Sequence, residues 1–128
     1  LMEGISQEAI SLAGHLKIDN LVLIYDNNKI SIDGSTDLAF SDNTNLRFIS
    51  VNWNVLSGNG HNHKNIREFF QKNQKAAKTS LLNFKTIIGF GSPNKSGKAS
   101  SHGAPLGEDE ILLVRKKLKW KSTRITSK

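Results

Sequence analysis

The sequence predicts an α/β fold, a parallel sheet flanked by helices, and three observations carry that prediction. Helical and strand-like segments alternate along the 128 residues, as they must in a chain that links parallel strands through helical crossovers. Leu21-Val22-Leu23-Ile24-Tyr25 is a continuous apolar run of strand length, the pattern of a strand covered on both faces. The segments that follow the strand candidates are rich in Asn, Gly and Ser, which suits loops at strand ends.

Ile5, Ala9, Leu12, Ala13 and Leu16 recur at helical spacing, so residues 5–17 form the first helix, with Ser6 as its expected N-cap and Glu8 in its first turn. The strand over 21–25 ends in Asp26-Asn27-Asn28-Lys29, a turn-forming cluster. Residues 30–34 alternate briefly and stop at Asp33-Gly34, and 35–41 form a loop. Ser41 or Asp42 caps a short helix running to about Ser50. Trp53 and Val55 share one face of a second strand over 52–57, which Gly58-Asn59-Gly60 is expected to break. Asn62 caps a helix running to about Ala77, with Ile66, Phe69, Phe70, Asn73 and Ala77 on one face. A third strand spans 80–88, a long Gly-, Ser- and Lys-rich loop follows over 89–105, and a last helix covers 107–119. Glu108, Asp109 and Glu110 open that helix and Lys116, Lys117 and Lys119 close it, as its dipole favours.

Composition excludes several classes of function. No run approaches the roughly 18 apolar residues of a membrane span. The absence of cysteine excludes a disulfide scaffold, a thiolate metal site and a cysteine nucleophile. A net charge of +7 invites a nucleic-acid reading, but its distribution argues against one. All of the excess lies in the seven basic residues from Arg115 onward, and residues 1–114 hold eleven of each sign. A body without excess charge has no phosphate-tracking face, so no nucleic-acid partner is expected. The chain opens directly on its first helix, which predicts a piece of something larger.

Ligands of open parallel sheets gather at the carboxyl ends of strands, here residues 26–34, 57–62 and 89–106. An amide oxygen such as that of Asn28, with backbone carbonyls beside it, suits a hard divalent cation; the competing reading is that Asn27-Asn28 only makes a turn. In the long loop, Gly89, Gly91, Gly97 and Gly103 surround Lys95, Lys98 and His102, a set that either approaches a phosphate or stays solvated. His61 and His63 form an H-x-H pair with no evident third ligand, and His15 reads as a packed or capping histidine. No Walker A or Rossmann glycine pattern is present, and the serines and four histidines are too many for a chance pairing to signal a triad.

Several segments, in order, resemble the transketolase family. They are Leu1-Met2-Glu3-Gly4-Ile5-Ser6, Ser11 to Leu16, Ile24 to Gly34, Thr86 to Lys95, and Ser101-His102-Gly103-Ala104-Pro105-Leu106-Gly107. The resemblance covers residues 1–120 and implies an incomplete thiamine diphosphate-binding fold, the domain that holds the diphosphate end of the cofactor; 121–128 form a divergent basic tail. It implies that Asn28 coordinates a divalent cation (Mg²⁺, Ca²⁺ or Mn²⁺) through its side-chain oxygen and Ile30 through its carbonyl. It implies that Ile32 packs on the cofactor and that His102 contacts the diphosphate and the substrate as a catalytic residue. Glu3 matches an acid of a hydrogen-bond network at the dimer interface, and the adjoining Gly4 falls at the cofactor.

The activity so implied is transfer of a two-carbon ketol group from a ketose phosphate to an aldose phosphate, in pentose phosphate metabolism, by a cytoplasmic homodimer with sugar-phosphate substrates. Departures are visible too. The family's Gly-Asp-Gly is missing upstream of Leu1, Ala99 stands where many relatives carry histidine, and Asn59-Gly60-His61-Asn62 replaces Asp-Gly-His-Asp. Without that metal carboxylate, and without the domain that supplies the activating glutamate, the 128 residues alone are expected to be inactive. The rivals are a dihydroxyacetone synthase or deoxyxylulose phosphate synthase, or a non-catalytic piece that binds acidic partners through its basic tail.

Overall fold

Leu81 and Leu82 are wholly buried near the start of the third predicted strand, and the fold is organised around them. The computed structural model describes Met2 and residues 4–121; all of the expected tail except Lys121, and the site candidate Glu3, lie outside the described residues. The elements in chain order are α1 (Ser6–His15), β1 (Val22–Asn27), β2 (Ile30–Ser31), β3 (Gly34–Ser35), α2 (Thr44–Ser50), β4 (Asn54–Asn59), α3 (His63–Asn73), β5 (Ser80–Lys85) and α4 (Glu108–Lys117). Short 3-10 turns cover Thr36–Leu38 and Ala99–Ser101. The described residues of 1–27 and 40–86 make one compact unit, and those of 28–39 and 87–128 make another.

The first unit is the predicted parallel sheet with its helices. Strand order is β1-β5-β4, with Leu23 and Val55 both in register with Leu81. β5 is buried from Ser80 to Phe84, as a central strand covered on both faces must be. Its alternating side chains divide between two layers. Leu81 joins Ile10 and Ala13 of α1, Phe48 of α2 and Trp53 in the core cluster, and on the same face Asn83 Nδ2 donates to Asn45 Oδ1 at 2.7 Å. On the other face Phe84 stacks on Phe69 of α3, with centroids 5.6 Å apart. Phe48 meets Trp53 edge to face at 4.9 Å, and burying a side chain of this size contributes about 1.5–3 kcal/mol. Thr79 Oγ1 donates to the carbonyl of Ile18 at 2.6 Å, tying the entrance of β5 to the chain that follows α1.

Several boundaries differ from the expectation, each for a local reason. Ser6 does not cap α1: the helix is entered at Ile5, which makes no side-chain cap bond, while Gly4 carbonyl accepts from Gln7 N–H. Asn43, not Ser41 or Asp42, caps α2 by accepting from Leu46 N–H at 3.1 Å. β4 starts after Asn52, which is left-handed at φ 69°. It runs through Gly58 because the missing side chain makes room for Phe69: a Cβ there would sit 2.6 Å from that ring. α3 is capped by Asn62 as expected, through bonds to Lys64 and Asn65 N–H, but it ends at Asn73. β5 ends at Lys85, since the chain turns at Ile87, whose carbonyl accepts from Phe90 N–H.

The second unit holds β2 and β3, paired antiparallel through Ile30 with Ser35 and Ser31 with Gly34, a two-rung hairpin where only a brief alternation was expected. It also contains the long loop and α4, whose first turn carries Glu108, Asp109 and Glu110 and whose last turn carries Arg115, Lys116 and Lys117.

Candidate functional site

Asn28 is the residue that follows β1, and the next few residues are tightly fixed. Its Oδ1 accepts from Ile30 N–H at 3.0 Å, so the competing reading of this Asn as a turn former is correct as far as it goes. The turn leaves a second lone pair on the same oxygen and fixes the direction in which it points. Lys29 between them is left-handed at φ 63°, and its carbonyl accepts from Thr36 N–H at 3.0 Å. Ser31 Oγ donates to Gly34 carbonyl. The hairpin 28–36 is thus closed by its own bonds. At its tip Ile32 is 72% exposed, an apolar side chain standing in solvent.

The donors that this segment offers a cation are an amide oxygen and backbone carbonyls, the hard oxygen ligands that Mg²⁺ and Ca²⁺ prefer. They fit a cation held jointly with phosphate oxygens and supply only part of its coordination. Among the described residues no three His, Cys, Asp or Glu side chains gather as a metal site, so the His61–His63 pair is joined by no third ligand of those types.

His102 follows the Ala99–Ser101 turn, with its N–H donating to Ala99 carbonyl at 2.8 Å and its side chain exposed. Asn28, Ile30, Ile32 and His102 all belong to the second unit, and Gly4 to the first. Gly4 is exposed at φ 52° ahead of α1.

One further cluster lies in the second unit. Glu110, buried in the first turn of α4, accepts from Ser92 Oγ, from Asn94 N–H at 2.9 Å and from Asn94 Nδ2 at 2.8 Å. The Ser92 hydroxyl, both Asn94 donors and the charge of Lys95 together hold its carboxyl down to about 2 from an ordinary 4.5, against the opposing effect of burial. The sequence showed Glu110 only as one of three acids at a helix start. Its distinguishing feature, three donors converging from 16–18 residues upstream, exists only once the loop has folded back.

An open parallel sheet with helices on both faces is the class of α/β domain that the fold defines. The family described as transketolase, thiamine diphosphate binding domain, matches residues 1–126. The chain is 52% identical over 123 residues to a transketolase of Buchnera aphidicola subsp. Schizaphis graminum, covering 94% of this chain and 18% of that protein. It is 49% identical over 122 residues to transketolase 2 of Escherichia coli, with the same two coverages. A crystal structure of transketolase from Campylobacter jejuni superposes with a TM-score of 0.89 at 44% identity, covering 91% of this chain and 18% of that one. A transketolase from Pichia stipitis in complex with sedoheptulose-7-phosphate superposes at 0.87 and 40% identity, over 92% of this chain and 18% of that one. The chain belongs to the transketolase family, within its thiamine diphosphate-binding domain. It spans about a fifth of the length of the relatives it matches.

Proposed function

We propose that this chain holds the diphosphate end of thiamine diphosphate, together with a divalent cation, within an enzyme that moves a two-carbon ketol group from a ketose phosphate to an aldose phosphate. The observation that carries the reading is the Asn28 turn, which fixes an amide oxygen with a lone pair to spare in a family that binds this cofactor. Asn28 Oδ1 and the Ile30 carbonyl are the chain's ligands to Mg²⁺, Ca²⁺ or Mn²⁺. Ile32 packs on the cofactor from the hairpin tip, and His102 donates to the diphosphate and to the substrate oxygen; Glu3 and Gly4 are counted among the cofactor-binding residues on the family resemblance alone. The bound cofactor supplies the carbanion chemistry of ketol transfer; these residues orient it. Residues 1–120 serve as the cofactor-holding domain and 121–128 as a basic extension.

The sugar-phosphate substrate class is supported by the Pichia stipitis relative, whose structure holds sedoheptulose-7-phosphate. A homodimeric and cytoplasmic setting follows from the family resemblance. Among the described residues no helix is long and apolar enough to cross a membrane.

Calorimetric titration of thiamine diphosphate into the chain, with and without Mg²⁺, tests the proposal. Cation-dependent binding that disappears in a folded Asn28→Ala variant is the expected result. Binding that ignores the cation, or that survives the substitution unchanged, overturns it.

A further inference from the structure

His102 sits in a stretch with little to hold it. Residues 102–105 are all exposed, and Gly103 is left-handed at φ 73°. A histidine that must meet a ligand at a fixed distance loses affinity if its segment has to be ordered on each encounter.

A single residue grips this stretch on both sides. The carbonyl of Lys95 accepts from Ser101 Oγ at 2.6 Å, immediately before His102. Its Nζ donates to the carbonyls of Leu106 at 2.9 Å and of Pro105 at 3.4 Å, just beyond it. Lys95 is anchored in turn, because its N–H donates to Ser92 Oγ at 3.0 Å and Ser92 donates to the buried Glu110. The anchor of α4 therefore reaches His102 through Ser92 and Lys95.

We propose that Lys95 is the positioning residue of His102, its backbone and its ammonium fixing the two ends of the 101–106 segment so that the imidazole is presented in one place. This rests on the reading of His102 as a residue that meets diphosphate and substrate. An ammonium suits this role because its long stem spans the loop and its charge strengthens bonds to two carbonyls at once. Methionine keeps much of the stem and loses the donors. Arginine keeps the charge and can restore the bonds.

The proposal is tested on the full chain by NMR, following the His102 imidazole signals and amide exchange over 101–106, with the amides of α4 and the Trp53 indole as reporters of the fold. In Lys95→Met, His102 moves toward free-loop positions and the 101–106 amides exchange on the order of tenfold faster, while both reporters stay put; Lys95→Arg restores the wild-type pattern at least in part. His102 signals unchanged in a folded Lys95→Met overturn the proposal. If Lys95→Met also melts α4, Ser101→Ala, which removes only the first grip, decides instead: displaced His102 signals with α4 intact support the assignment, and unmoved ones overturn it.

The same samples titrated with thiamine diphosphate and Mg²⁺ separate this inference from the function above. Binding weakened about tenfold in Lys95→Met, the measure of a lost positioning contact, supports both. Wild-type binding that ignores Mg²⁺ overturns the function, while Lys95 is still judged on the His102 signals.

Discussion

The indole N–H of Trp53 donates to the carbonyl of Ile10 at 2.9 Å inside the core. It links residues 43 apart in sequence, and it joins the residue just before β4 to the middle of α1. Both residues are nearly buried, so neither group has water to fall back on. Trp53→Phe keeps an aromatic ring against Phe48 and removes the indole donor, while the Ile10 carbonyl keeps its place in the helical ladder of α1. The expected loss of stability is about 0.5–1.5 kcal/mol for the lost bond, with a small cavity cost added, read as a lower urea midpoint at an unchanged slope.

Gly14 fixes how closely α1 approaches the end of α2. A Cβ there would lie 1.8 Å from the carbonyl oxygen of Val51, a backbone atom that no rotamer change can move aside. Alanine, favourable at most helical positions, is therefore expected to destabilise here by more than the roughly 1 kcal/mol that its helix propensity offers. Thermal unfolding of Gly14→Ala checks the sign, since a raised midpoint would show that the two helices can part without penalty.

The Glu110 carboxylate gives the chain a pH signature. The folded state favours its ionised form, so its contribution is complete above an ordinary carboxylate value of 4.5 and is lost as pH falls toward about 2. Urea unfolding across that interval, compared between wild type and Glu110→Gln, is expected to show a steeper acid decline in the wild type. Parallel profiles would mean that the three donors do not stabilise the charge.

Much of the fold was legible because it rests on patterns that a short window contains. The apolar run at 21–25 announced a strand, and Asn62 announced the start of α3, but the run is not covered on both faces as expected: β1 lies at the edge of the described sheet, with Ile24 exposed. What was illegible depended on partners distant in sequence. Gly58 reads as a strand breaker until Phe69, eleven residues on, is seen to fill its place against the strand. Ser41 and Asp42 are as good caps as Asn43 by type, and only the path of the chain selects between them. The site divides in the same way. Asn28 could be picked out from its place after a strand, whereas Lys95 and Glu110 look like solvated charges until the loop 89–107 closes on them.

Asn28 does two things with one oxygen, and substitution can separate them. Aspartate retains an oxygen that accepts from Ile30 N–H and adds a charge that a divalent cation favours, so Asn28→Asp is expected to keep the hairpin and keep Mg²⁺-dependent binding of thiamine diphosphate. Alanine loses the turn acceptor and the ligand together, and its binding is expected to fall on the order of tenfold or more, the usual scale for a disturbed metal site. Serine is the informative third case, because its hydroxyl can make the equivalent local turn with an oxygen that reaches less far. If the residue serves only the turn, Asn28→Ser binds as well as wild type. If Oδ1 also holds the cation, Asn28→Ser stays folded by circular dichroism and its affinity falls with that of the alanine variant. Raising Mg²⁺ should then recover binding in Asn28→Asp at lower concentrations than in Asn28→Ser, an ordering that a purely structural asparagine would not produce.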